Sequence, residues 1–62
     1  MNNLKKIREE MGMTISKLSQ LSGISRETIY RLEDESIQKA NTQTLIALAD
    51  ALGVSLADFF AL

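Results

Sequence analysis

The same triplet recurs three times in this chain: a glycine, then an apolar residue, then a hydroxyl residue. It stands at Gly12-Met13-Thr14, Gly23-Ile24-Ser25 and Gly53-Val54-Ser55, and no proline occurs anywhere. Each member has a mechanical role. Glycine ends a helix in the left-handed conformation at low steric cost. The hydroxyl residue caps the next helix by accepting from a free backbone N–H. The apolar residue before the cap can staple onto the fourth helical position. The staple partners are in place: Leu18 for Met13, Ile29 for Ile24 and Phe59 for Val54. With Asn41 as a further cap, the punctuation predicts five short helices. They span about Asn3 to Met11, Ile15 to Leu21, Ser25 to Asp34, Asn41 to Leu52 and Leu56 to Ala61. The pattern speaks to boundaries and is silent on function.

Sixty-two residues make one domain, 1–62, and a chain of that size buries only about 60% of its unfolded surface. Apolar residues recur at helical spacing: Leu4, Ile7 and Met11; Ile15, Leu18 and Leu21; then Leu45, Leu48, Ala49 and Leu52, with Ile46 widening the stripe. The expected architecture is all-α, a compact five-helix bundle with a thin core. Ser55 and Asp58 have capping-box spacing at the last helix. That helix holds more apolar groups than one monomer buries, which makes Phe59, Phe60 and Leu62 candidate dimer contacts, with a frayed terminus as the alternative.

Composition removes several functions. With no cysteine and no histidine, disulfides and the ordinary zinc-finger ligand sets are excluded, and no metal or cofactor is expected. Nucleophiles and general acids would have to come from carboxylates, lysines and Tyr30, and the three scattered glycines form no phosphate-cradling loop. An enzyme is not expected. No apolar run is long enough to cross a bilayer, and no signal peptide opens the chain, so the reading is a soluble cytoplasmic protein without a membrane partner.

Net charge is −1, low for a nucleic-acid binder, but its distribution is uneven. Residues 1–32 hold six cations against three anions, and residues 33–62 hold one cation against five anions. The basic half contains the third predicted helix, which has two faces. Thr28, Ile29 and Leu32 gather on one side, and Arg26, Glu27, Tyr30, Arg31 and Asp34 on the other. Arginines suit guanine edges and a carboxylate suits the cytosine amine. An ordinary solvated face has the same composition, so this helix alone does not decide.

The run Gly12-Met13-Thr14, Leu18, Leu21, Gly23-Ile24-Ser25-Arg26, Ile29, Leu32 and Glu33 resembles the phage-repressor type of helix-turn-helix domain, the Cro and cI-like family. The segment from Leu45 to Leu56, ending at Phe59-Phe60, is similar to that family's fourth and fifth helices. The resemblance covers nearly the whole chain. It implies a lambda-repressor-like bundle whose third helix lies in the major groove of double-stranded DNA, commonly as a homodimer. By position it implies base contacts from Arg26, Glu27 and Arg31, with Ser25 and Tyr30 beside them. It implies phosphate contacts from Thr14, Ser16, Lys17 and Asn41, with Lys39 and Thr42 adjoining. It implies a structural ion pair between Arg8 and Glu33.

Three departures bear on affinity. Ile15 stands where a glutamine often holds phosphate, the loop Asp34-Glu35-Ser36-Ile37 is longer and acidic, and the overall charge is negative. The expectation is a sequence-specific transcriptional regulator that binds modestly as a monomer and depends on dimerisation or on fusion to another module. The competing expectation is a protein-interaction module, antitoxin-like or an adaptor, on the same fold. RNA is a lesser variant, because outside the C-terminal pair Tyr30 is the only aromatic for stacking.

Overall fold

The computed structural model describes residues 3–34 and 40–60. Four α-helices follow one another, α1 (Leu4–Glu10), α2 (Ile15–Ser22), α3 (Arg26–Asp34) and α4 (Thr42–Leu52), and a 3-10 helix (Leu56–Phe60) closes the described chain. No strand occurs among the described residues. The predicted boundaries hold to within about two residues. Thr14 and Asn41 cap α2 and α4 through their side chains, accepting from the N–H of Lys17 at 3.0 Å and of Gln43 at 2.7 Å.

The glycines act as the triplets require. At the end of α1 the Met13 N–H bonds the Arg8 carbonyl at 3.0 Å and the Gly12 N–H bonds the Glu9 carbonyl at 2.9 Å. Val54 and Gly53 repeat this pair of bonds onto Ala49 and Asp50 of α4. Both ends are Schellman motifs, which satisfy helix carbonyls that would otherwise be orphaned.

The fifth helix departs from expectation. It is a 3-10 turn, with the Asp58 N–H bonding the Ser55 carbonyl at 3.1 Å. In so short a segment, i to i+3 bonds close more rings than i to i+4 bonds. The reach-back half of the capping box forms, since the Asp58 carboxylate accepts from the Ser55 N–H at 3.0 Å. This turn delivers Phe59 into the core, where it is fully buried. Asn3 then ties the start of α1 to the same turn, donating from its backbone N–H to the Phe59 carbonyl and from its side chain to the Asp58 carbonyl.

The core is Leu4 and Ile7 of α1, Leu18 of α2, Ile29 and Leu32 of α3, Leu45, Leu48, Ala49 and Leu52 of α4, and Phe59. The staple residues Met13, Ile24 and Val54 pack on its edge. Three predicted core positions are instead exposed: Met11, Leu21 and Ile46. Residues three apart drift by about 60° around a helix. Of Ile15, Leu18 and Leu21, therefore, only the central leucine faces squarely inward. Ile46 lies about 100° from Leu45 and falls outside the narrow stripe of α4. Met11 lies beyond the last residue of α1.

One charged side chain enters this core margin. Arg8 donates from Nε to Glu33 Oε2 at 2.6 Å and from Nη2 to Oε1 at 3.2 Å. Its Nη1 donates to the Met13 carbonyl at 2.8 Å. The two side chains are 11% and 7% exposed. The hydrogen bond that Arg8 donates to Glu33 is the main reason the Arg8 pKa is raised above its ordinary value, against the opposing effect of burial. Arg8 thus stays charged throughout the physiological range. Because each partner would strand the other in a water-poor site, Arg8→Met or Glu33→Gln alone should destabilise by about 3–5 kcal/mol. Urea unfolding of the single variants and of the Arg8→Met/Glu33→Leu double variant checks this, and the double variant should recover a large part of the loss.

Candidate nucleic-acid interface

The turn between α2 and α3 sets the angle at which α3 is offered to solvent. Gly23 holds φ at +76° and its N–H bonds the Ser19 carbonyl at 2.9 Å. The next residue, Ile24, has both backbone groups satisfied by serines. Its carbonyl accepts from Ser19 Oγ at 2.6 Å, and its N–H donates to Ser22 Oγ at 3.1 Å. The sequence pattern gave neither serine a role. The available signal was serine at two and five residues before Ile24, the kind of short hydroxyl that closes local turns. Ser25 then caps α3, accepting from the Thr28 N–H at 3.2 Å and donating to Thr28 Oγ1 at 2.8 Å.

Beyond that cap, α3 divides sharply. Ile29 is fully buried and Leu32 nearly so, while Arg26, Glu27, Tyr30, Arg31 and Asp34 are exposed, Tyr30 at 61%. Arg26 reaches back towards α2, its Nη1 lying 3.5 Å from Ser16 Oγ. An open groove of about 610 Å³ runs along this face, lined by Lys5, Arg8, Ile15, Glu27, Tyr30, Arg31, Glu33 and Asp34. Lys5, which the sequence places on the water-facing side of α1 with a phosphate contact as the lesser alternative, shares this groove with the outward groups of α3.

Of the expected phosphate contacts, Thr14, Ser16, Lys17, Asn41 and Thr42 are all exposed. Capping occupies an acceptor on Thr14 and on Asn41, and leaves the hydroxyl hydrogen of the first and the amide hydrogens of the second. Ser25 has both its hydrogen and its oxygen engaged within its own turn, so it acts here as a cap. Lys39 lies outside the described residues. At the other end of the bundle, Phe59 is fully buried and offers no ring surface to a second copy, Phe60 is 43% exposed, and Leu62 lies outside the described residues. Among the described residues no group of three or more carboxylates is placed to hold a metal ion, and no helix is long and apolar enough to cross a membrane.

The model of the Cro/C1-type HTH DNA-binding domain matches residues 3–62. The chain belongs to this family. It is also similar to three archaeal proteins provisionally named as HTH-type transcriptional regulatory proteins. It is 36% identical over 55 residues to one from Methanobrevibacter smithii, covering 89% of this chain and 17% of that protein. It is 42% identical over 45 residues to one from Methanocaldococcus jannaschii, covering 73% of this chain and 13% of that protein. A Methanosarcina acetivorans protein is 37% identical over 54 residues, with 87% and 16% covered. The chain therefore spans a small fraction of the length of the curated relatives it matches.

In this Cro/C1-type domain, α2, the Ile24 turn and α3 form the helix-turn-helix. Its geometry hangs on the positive φ of Gly23, where an added Cβ would meet no atom within 4 Å. Gly23→Ala should therefore fit sterically and still destabilise by about 1–2 kcal/mol, the intrinsic cost of a left-handed alanine. Thermal unfolding checks this, with a drop of about 4–8 °C per kcal/mol expected for a domain of this size.

Proposed function

We propose that this Cro/C1-type domain is the sequence-reading module of a transcriptional regulator, laying α3 in the major groove of double-stranded DNA and acting as a dimer on paired half-sites. The observation that carries the reading is the division of α3: an inner edge of Ile29 and Leu32 sunk in the core, and an outer edge of Arg26, Glu27, Tyr30 and Arg31 open to solvent. Either arginine matches the O6 and N7 acceptors of guanine, and Glu27 matches the N4 amine of cytosine. Thr14, Ser16, Lys17, Asn41 and Thr42 surround the N-termini of α2 and α4, where free N–H groups favour phosphate oxygens. The names of the archaeal relatives point in the same direction.

The charge favours a dimer. A domain with a net charge of −1 and few exposed cations contacts few phosphates, so one copy binds modestly. Two copies on one duplex multiply the contacts. Phe60, partly exposed beside the buried Phe59, is the candidate contact between copies. The absence of histidine and cysteine favours binding over catalysis. A second reading, docking to a protein partner, is favoured by the exposure of Met11, Leu21, Ile46 and Phe60, four large apolar side chains on one small domain.

Selection from a random duplex pool tests the proposal. The expected product is one sequence, with two related half-sites about one helical turn apart. On that duplex Arg26→Ala, Glu27→Ala and Arg31→Ala should each relax preference at a separate base position by about 1–3 kcal/mol. A folded domain that enriches no sequence at low salt would overturn DNA reading and direct the search to protein partners.

A further inference from the structure

The two adjacent lysines of α1 are indistinguishable in sequence, and the fold sends them to different places. Lys5 lines the groove that runs along the outer edge of α3, with Glu27, Tyr30 and Arg31. Lys6 lines a separate opening of about 290 Å³ between α1 and the 3-10 turn, with Asn3, Glu10 and Asp58. Lys5 is exposed and makes no ion pair with any described residue. Its backbone is held: Arg8, one turn further along α1, is clamped to Glu33 of α3. The position of Lys5 relative to α3 is therefore fixed to within the reach of one flexible side chain.

α3 packs against α2 and against α1. A helix in the major groove has a phosphate wall on either side, the groove being about 12 Å wide. The exposed Lys17, Ser16 and Thr14 stand on α2. On α1, the groove beside α3 contains one cation that is not paired to a described carboxylate, and that cation is Lys5.

We infer that Lys5, and not Lys6, is a DNA-phosphate contact that braces α3 from the α1 side. The inference rests on the major-groove reading above and separates two lysines to which the sequence pattern gave the same reading, a solvated face first and a phosphate contact second. Lys5 carries no base information, because an ammonium facing a phosphate binds every sequence alike. It fixes how α3 is seated, and it adds an electrostatic contribution to a domain whose net charge supplies little.

The test is a titration of the 62-residue chain with its selected duplex and with an unrelated duplex, at several salt concentrations, for the wild type, Lys5→Ala and Lys6→Ala. Thermal melts establish that both variants are folded. One lost phosphate contact lowers the slope of log K against log salt by about 0.9. That decrease is expected for Lys5→Ala on both duplexes with base preference unchanged, and no decrease is expected for Lys6→Ala. An unchanged slope for Lys5→Ala overturns the assignment while the α3 reading stands. Equal losses from the two variants also overturn it, since net charge rather than position then governs binding. If the wild type binds no duplex at low salt, the major-groove reading fails and the assignment fails with it.

Discussion

The fold depends on one guanidinium. Arg8 leaves α1, grips both carboxylate oxygens of Glu33 at the end of α3, and uses its remaining terminal nitrogen on the Met13 carbonyl in the turn that leads into α2. Three segments are thereby fixed relative to one another. A domain of this length is stable by only about 3–9 kcal/mol, so the loss of one partner could remove much of that margin. The planar fork of arginine explains why lysine would not serve: a single ammonium cannot reach a carboxylate bidentately and a carbonyl besides. The pair also lies on the floor of the groove whose walls carry the exposed groups of α3.

Electrostatics on the outside follow a different logic. The cations near α3 are offset by Glu27 and Asp34 in the same groove, so no strongly positive surface forms there. General attraction to a polyanion is correspondingly weak. A domain of this kind gains more from a few well-placed contacts than from bulk charge, and depends more on base edges for discrimination. The hydroxyl and amide caps Thr14 and Asn41 suit that regime, because each keeps hydrogens to donate after its capping acceptor is engaged.

Much of this was legible in the sequence, for identifiable reasons. The glycine–apolar–hydroxyl triplets are local devices, so helix ends could be read without knowing the fold. The inner edge of α3 was legible because Ile29 and Leu32 are the only aliphatic residues of that helix, a single step of three, so both stay within one buried face. What could not be read depends on tertiary placement. Leu21 and Ile46 have the residue type of core positions, and they stay outside because the buried stripe is narrow: Leu21 stands about 60° from Leu18 and Ile46 about 100° from Leu45. The last turn became a 3-10 helix because bonding within five residues favours the tighter ring, and propensity carries little information at that length. Ser19 and Ser22 escaped notice because their partner is a backbone group in the turn, Ile24, which a search along helix faces passes over. Lys5 and Lys6 differ only through the position of α3, which no local pattern contains.

The separation of the clamp from the outward face has a further consequence. Arg26, Glu27, Tyr30 and Arg31 lie outside the core and make none of the capping bonds. Arg26 has one long contact, to Ser16. Substitutions at exposed positions of that kind usually change stability by less than about 0.5 kcal/mol. The residues that fix α3, namely Arg8, Glu33, Gly23, Ser25, Ile29 and Leu32, are instead engaged in the clamp, the turn, the cap or the core. A chain divided this way can change the outward face of its third helix while keeping how that helix is held. In so small a domain the division matters more than in a large one, because there is little surplus stability with which to absorb a residue that must do both.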